Sequence, residues 1–504
     1  MRIGRIAAWS RRAVIERTLR GIAAALPAIL AAGCEPDAAA AAHCRNGRKR
    51  CRKTCRDLQR DRRNCGRCGK RCRPGDACDR GLCCPAGQVN CRGTCRPTCE
   101  APPAHRPFPH RVAYPGVVNH PSRWTADQQA NHVRTAYDRW KRDYLVAAGR
   151  DAAGQPRWRV AWGRRGTPQF EQTISEGQGY GLLILAHMAG HDPDAQSLFD
   201  GVWRFSRDHP SRIEPRLMQW LVPTKPADRD SAFDGDCDIA YGLLLAATQW
   251  RSSPDPAIDY GKAAARVIGG ILAATIGRTS HLPTLGDFAG VTDADDGDKY
   301  NQWTPRSSDF MLANFRAFGR ATGDTVWNEV VAACHLVVAA LQSTHSPATG
   351  LLPDFIEPVS ATDRAPKPAR PNFLEEETDG DYFYNAARVP WRLGLHALLA
   401  NDAESARQAA TISRWAEQST GGNPAGIHSG YHLSGQPLPD SAYFDTCFAA
   451  PLGVAAMVTS GQQPWLDDTY AAVIAAGPED YFDDTVGLLC LLALTGTFWD
   501  PTME

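Results

Sequence analysis

Two acidic, glycine-bearing stretches hold the residue types best suited to chemistry. The first is Thr173-Ile-Ser-Glu-Gly-Gln-Gly-Tyr-Gly-Leu-Leu-Ile-Leu-Ala-His187. It reads as a loop turning into a helix, with Ser175 as N-cap, Glu176 in the first turn and an apolar run from Tyr180. Gly177, Gly179 and Gly181 each cost a helix about 1 kcal/mol against Ala, so something must approach the backbone closely here. The second stretch, Asp230-Ser-Ala-Phe-Asp-Gly-Asp-Cys-Asp238 through Trp250, repeats the design, and Asp234, Asp236 and Asp238 crowd one turn. An acid at a helix start is ordinarily a cap or a dipole partner. The plain reading of the second stretch is a capped helix or a calcium-like loop short of ligands. The sharper reading is a carboxylate facing Glu176 across a cleft, because two carboxyls flanking a scissile bond are what glycoside hydrolysis needs.

SEGQGYG followed by SAFDGDCDIAYGLLLAATQW resembles glycoside hydrolase family 8, with Phe233 and Gly242 departing from the commonest pattern. RSSDFMLANFRAF, SPATGLLPDF, NFLEEETDGDYFYNAARVPWR and YFDDTVGLLCLLALTGTFWDP extend the resemblance from about Tyr114 to Pro501. It is most similar to the branch holding bacterial chitosanases and lichenases. The resemblance implies an all-α (α/α)6 barrel, Glu176 as proton donor, and Asp234 beside the reacting sugar, where it binds hydroxyls and favours ring distortion. A donor must keep its proton near neutral pH. The helix N-terminus opposes that, so desolvation and the nearby Asp234 charge must outweigh it.

In much of that family an Asp within Tyr-Asp-Ala-x-Arg activates the water. Here the motif reads Tyr384-Asn-Ala-Ala-Arg388, and the amide of Asn385 cannot accept the proton. The chitosanase-like branch takes its base from a Glu in the upstream loop, and the closest match in Phe373-Leu-Glu-Glu-Glu-Thr-Asp379 is Glu375. The runner-up is Asp309, where other members often carry Tyr; it is also a candidate to bind a substrate ammonium. Three acids in a row are otherwise read as solvated charge. Trp220, Tyr382 and Tyr384 are candidate sugar-stacking surfaces, Asn385 is placed with them in the substrate site, and Arg388 is a candidate to orient the acids. Trp250, Trp391 and Trp499 read as core, as do His187 and His396. The Asp293–Asp298 loop has a weak calcium-site look, but the reaction needs no metal and no other cofactor.

These residues need a scaffold. Helical periodicity is nearly continuous after the first hundred residues, with candidate helices at 125–147, 177–190, 194–209, 236–250, 256–276, 307–321, 323–343, 385–400, 402–418, 445–459, 464–475 and 480–495. Twelve helices close naturally as six inside six. The long non-helical pieces, 210–235, 277–306, 344–384 and 419–444, fall between helix pairs, where cleft-lining loops belong. The four cysteines of this part, Cys237, Cys334, Cys447 and Cys490, read as buried, with one pair open to bridging.

Charge divides the chain. Through Gly116 there are 25 Lys and Arg against 8 Asp and Glu, whereas the 504 residues together carry a formal charge of only +1. A basic head thus joins an acidic body, residues 114–504. Residues 1–33 read as an export signal, since Ser10-Arg-Arg-Ala-Val-Ile resembles a twin-arginine motif ahead of a mild apolar region, and Cys34 is a candidate lipidation site. Between Cys44 and Cys99 lie 12 cysteines, read as six bridges of a small module, with zinc at Cys65 and Cys68 as the alternative. The 17 basic residues of that stretch would suit an anionic polymer, but it contains no aromatic residue to stack on bases, which sets nucleic acid aside. Residues 100–113 read as a Pro-rich linker. No apolar run reaches the roughly 18–20 residues of a membrane span.

The sequence therefore reads as an exported, monomeric, inverting endo-hydrolase of β-1,4-linked polysaccharide, placed extracellularly or on the cell envelope. Chitosan leads because an acidic body attracts a polycation. β-Glucan stands second, and a non-catalytic polysaccharide-binding protein is the alternative of another class, with Asn385 as the mark of lost catalysis.

Overall fold

The structure, a computed structural model, describes residues 44, 49–51, 54–79, 81–91, 94–96 and 104–503. Residues 1–33, read as an export signal, and Cys34 lie outside the described residues. The chain separates into two compact units, one ending at Pro102 and the other running from Pro103.

The head is three antiparallel hairpins: β1 (Lys49–Cys51) with β2 (Thr54–Arg56), β3 (Ala77–Asp79) with β4 (Leu82–Cys84), and β5 (Val89–Cys91) with β6 (Thr94–Arg96). In the second, Gly81 has the positive φ that a tight hairpin turn favours. Five disulfides hold the hairpins: Cys44–Cys55, Cys51–Cys68, Cys65–Cys78, Cys72–Cys83 and Cys84–Cys95. Cys99, needed for a sixth, lies outside the described residues. Cys65 and Cys68, the pair with zinc-ligand spacing, are bridged to different partners, so no thiol pair stands ready for a metal there.

In the second unit the stretch expected as linker is, from residue 104, a strap on the body. The N–H groups of His105, Phe108 and Val112 donate to the carbonyls of Gln249, Ala189 and Gly496 at 3.0, 2.7 and 2.8 Å, and the Phe108 ring is buried. Proline favours extended chain, and that geometry serves a docked strap as well as a free tether.

Twelve α-helices follow: α1 (Ala126–Tyr144), α2 (Ser175–His187), α3 (Ala195–Arg207), α4 (Phe233–Trp250), α5 (Tyr260–Ala274), α6 (Leu312–Thr322), α7 (Val326–Thr344), α8 (Val389–Ala400), α9 (Ala403–Ser419), α10 (Thr446–Met457), α11 (Gln463–Ala475) and α12 (Tyr481–Leu494). Helices α2, α4, α6, α8, α10 and α12 each touch the next, and α12 returns to α2, closing an inner ring. The other six back onto these as an outer ring, and the result is an (α/α)6 barrel. Composition explains the layering. Helix α10 is buried along its whole length and α2 everywhere except Glu176, whereas α1 and α9 bury one face and keep polar residues on the other. Outer helix α7 is long and apolar enough to cross a membrane, but Trp327, Val330, Cys334, Val338 and Leu341 are buried on one face against the barrel. Cys237, Cys334, Cys447 and Cys490 are buried and free, so no pair of them is bridged.

A hairpin the sequence did not announce, β7 (Leu145–Arg150) with β8 (Pro156–Val160), packs on α2 and α3, and short β9 (Thr173–Ile174) pairs with β10 (Leu221–Val222). Strand β9 runs straight into α2. Ile174, not Ser175, is therefore the N-cap, and the Ser175 hydroxyl is buried without a partner.

Candidate active site

Side chains at or just before the N-termini of α2, α4, α6, α8 and α12 converge at one end of the barrel. Arg388, in the 3-10 turn opening α8, is their hub. Its Nη1 donates to Glu176 Oε2 at 2.8 Å, Asp234 Oδ2 at 2.9 Å and the Tyr180 hydroxyl at 3.1 Å; its Nη2 donates to Ser308 Oγ and Asn385 Oδ1 at 3.0 Å each. Tyr481, first residue of α12, donates its hydroxyl to Glu176 Oε1 at 3.0 Å. The glycines of α2 permit this approach: a Cβ on Gly177 would meet the Tyr481 hydroxyl at 2.8 Å, and one on Gly179 would meet Asp238 of α4 at 2.8 Å.

The two sequence-selected acids sit in opposite electrostatic states. Burial raises the Glu176 carboxyl to about 7; the Arg388 guanidinium pulls it down and the Asp234 charge pushes it up again. Burial acts on Asp234 in the same direction, but the guanidiniums of Arg306 and Arg388 prevail and hold it down at about 2. Arg306 Nη2 lies 3.1 Å from Asp234 Oδ1. Environments that push two neighbouring carboxyls this far apart leave one ionised and let the other keep a large share of its proton near neutral pH. Asp236 and Asp238 are buried in the helix packing. Asp236 accepts the Met218 N–H, and Asp238 accepts from Asn314 and Arg392, so the turn is not a cation loop.

Across from this pair, buried Asp379 accepts the backbone N–H groups of Leu374, Glu375 and Glu376 at 2.6–3.0 Å and so folds the acidic triplet into a turn. Glu375 opens to the cleft, yet lost hydration within these walls still raises its carboxyl. Asn385 Nδ2 donates to Glu375 Oε2 at 3.1 Å and to Asp354 Oδ2 at 3.3 Å. Asp354 also accepts the N–H groups of Phe383, Asn385 and Ala386, which fixes the chain around Asn385.

A cleft of about 770 Å³ is lined by Glu375 and by Arg306, the partner of Asp234, and its walls include Trp162, Trp220, Phe288, Tyr384 and Tyr443. Trp220 and Tyr384 thus line the cleft, and the Tyr384 hydroxyl is anchored on Asp445 at 2.8 Å. Tyr382 does not line it. It is 1% exposed, because its backbone bridges to Tyr431 and turns the ring into the core against Phe448. Asp309 is likewise corrected. It is fully buried beneath Arg306, which donates to it at 3.0 Å, and burial raises its carboxyl to about 7, so it reaches neither a substrate ammonium nor a water in the cleft. Arg388 is 1% exposed and acts on the acids rather than on substrate, and Asn385 backs Glu375 instead of lining the wall. Sequence reasoning missed Arg306, Asp354, Asp379 and Tyr481, although all four lie in motifs already singled out: Arg306 opens RSSDF, Asp354 precedes the last residue of SPATGLLPDF, Asp379 closes FLEEETD, and Tyr481 opens YFDDT.

A carboxyl that keeps its proton beside one that does not, under a cleft walled by aromatic rings, is equipment for general-acid cleavage of sugar polymers. Barrel and site together define a glycoside hydrolase. The chain belongs to the glycosyl hydrolases family 8, whose model matches residues 115–496. It is 34% identical over 398 residues to a beta-glucanase from Niallia circulans, covering 78% of this chain and 91% of that protein. It is 35% identical over 404 residues to an endoglucanase from Bacillus sp. (strain KSM-330), covering 79% and 82%. The solved beta-1,3-1,4-glucanase from Paenibacillus sp. X4 superposes with a TM-score of 0.71 at 32% identity, over 78% of this chain and 99% of that one. In the head, a model of the stigma-specific STIG1-like protein family matches residues 34–86. The alternative of a non-catalytic binding protein gives way to an enzyme.

Proposed function

We propose that this chain is an exported, inverting endo-β-glucanase acting on mixed-linkage or β-1,4-glucan. The observation that carries the substrate is the set of relatives at 32–35% identity, which are named as a beta-glucanase, an endoglucanase and a beta-1,3-1,4-glucanase. In this reading Glu176 gives its proton to the leaving glycosidic oxygen. Ionised Asp234 accepts hydroxyls of the reacting sugar. Glu375 takes a proton from the water that attacks the opposite face of the ring, and Trp220 and Tyr384 carry the flanking sugars. Arg388 and Tyr481 hold Glu176 in place through both of its oxygens. An inverting pair needs about 6.5–9.5 Å between carboxyls to seat the water, and the Asp379 clamp on the loop that presents Glu375 supports a base held in one place. Export is supported by the signal-like residues 1–33 and by the bridges of the head, which persist in oxidising compartments. Cys34 is the residue through which a lipid would anchor the chain to the cell envelope.

Chitosan, first on sequence grounds, becomes the second reading. Asp228, Asp230, Glu375 and Glu377 on the cleft wall favour it, while the burial of Asp309 removes the residue expected to meet its ammonium groups. Release of reducing ends from lichenan, carboxymethylcellulose, chitosan and xylan separates the readings. The expected result is fastest release from lichenan. Fastest release from chitosan would install the second reading, and release from xylan alone would reject both.

A further inference from the structure

Position 385 holds an amide where much of the family resembled by this sequence carries an acid, and the structure shows what the amide does. Its Oδ1 lies 3.0 Å from Arg388 Nη2 and 3.3 Å from Arg306 Nη1. Guanidinium groups only donate, so the atom facing them is the oxygen. Its Nδ2 therefore faces Glu375 Oε2 and Asp354 Oδ2, which only accept when ionised. Two guanidiniums on one side and two carboxyl groups on the other fix the orientation of one neutral side chain that is 9% exposed. Among the described residues Asn385 is the side-chain hydrogen-bond donor to the Glu375 carboxyl. The same Arg388 guanidinium also holds Glu176 and Asp234, so the amide joins the base side of the cleft to the acid side.

We propose that Asn385 is the positioning residue of the base: held by two guanidiniums, it sets the direction of the Glu375 carboxylate and favours its ionised form. The proposal rests on Glu375 being the base. An acid at 385 would set a second negative charge against Glu375 and Asp354, and an alkyl group would leave Glu375 free to rotate. The amide supplies a donor without a charge. Glu375 is faced by Arg306 and Arg388, which favour its anion together with the Asn385 amide, and by Asp354, Glu376 and Asp379, which oppose it along with burial. In this balance the amide is the member that can be removed or charged without altering the backbone clamp at Asp379.

The test is the pH profile of kcat/KM on lichenan for wild type, Asn385→Ala, Asn385→Asp and Glu375→Gln. A base must be ionised, so its pKa sets the acidic limb. Loss of the donor in Asn385→Ala moves that limb upward and lowers kcat by about 10–100-fold with KM little changed. Asn385→Asp keeps the shape of the side chain and moves the limb further, by about 1 pH unit or more. If Asn385→Ala does not fold, the isosteric Asp variant carries the test alone. Inactive Glu375→Gln together with an unmoved acidic limb in the position-385 variants overturns the proposal and leaves the base assignment standing. Near wild-type rates in Glu375→Gln reject the base assignment, and the proposal with it.

Discussion

The head and the body use cysteine in opposite ways. In the head, five bridges join ten cysteines among the described residues, and the sequence between Cys44 and Cys99 holds no Phe, Trp or Tyr to build a core. Its described Lys and Arg side chains are mainly exposed, while Asp57 and Asp61 are turned to local N–H donors. In the body, Trp140, Trp327, Trp391, Trp465 and Trp499 are fully buried and the four cysteines are free. A stretch too short and too charged to bury apolar surface is held by covalent closure, and a domain large enough to bury it needs none. Only the second can keep a carboxyl dry, because a raised pKa requires walls that exclude water. The chemistry therefore sits in the body, and each prediction below tests that division.

The largest effect is expected from Glu176→Gln, which retains size and removes proton donation. Turnover should fall by about 10²–10⁴-fold with the circular dichroism unchanged. A purified variant keeping a tenth of the activity would place the acid elsewhere. Next is pH. As the proposed acid Glu176 must carry its proton, and burial raises it to about 7, so kcat should fall toward tenfold per unit above that pH. The same group ties stability to pH: its folded pKa is raised above the ordinary 4.5, so the stability tied to its proton is complete below about 4.5 and is lost as pH rises through about 7. Melting temperatures of wild type and Glu176→Gln should diverge across that window; parallel curves would contradict a buried, proton-holding carboxyl.

A smaller effect separates the strap from the head. A chain starting at residue 104 should melt and hydrolyse like the full protein. One starting at 114 loses the buried Phe108 ring, worth about 1.5–3 kcal/mol, and should melt several degrees lower. Equal melting of the two would return residues 104–113 to the role of tether. The smallest effect is that of a mild reductant, which opens the head's bridges and finds none in the body. Activity should change by less than about twofold, because catalysis draws on no disulfide. Loss of hydrolysis in step with reduction would show that the head supports the site.

Much of the body was legible because its signals are local and repeated. All twelve helices have a counterpart in the period of apolar residues, and Glu176 and Asp234 stand out because each follows a loop and precedes an apolar run. What escaped is what the barrel assembles over long separations. Arg306 meets Asp234, and Tyr481 meets Glu176, only when the ring closes. Tyr382 and Tyr384 look equivalent in sequence, and only the bridge to Tyr431 turns one inward and leaves the other at the cleft. The strap was misread because an extended Pro-rich segment has the same composition whether or not its N–H groups find partners.

In the proposed mechanism an acid at Glu176 works with a base across the cleft on a water seated between them. Proton NMR of the first product released from a β-linked glucan reads the outcome of that geometry. The α-anomer is expected, appearing before mutarotation sets in. A β-anomer as first product would mean a covalent intermediate and a nucleophile, and would contradict the account whichever carboxylate supplied it.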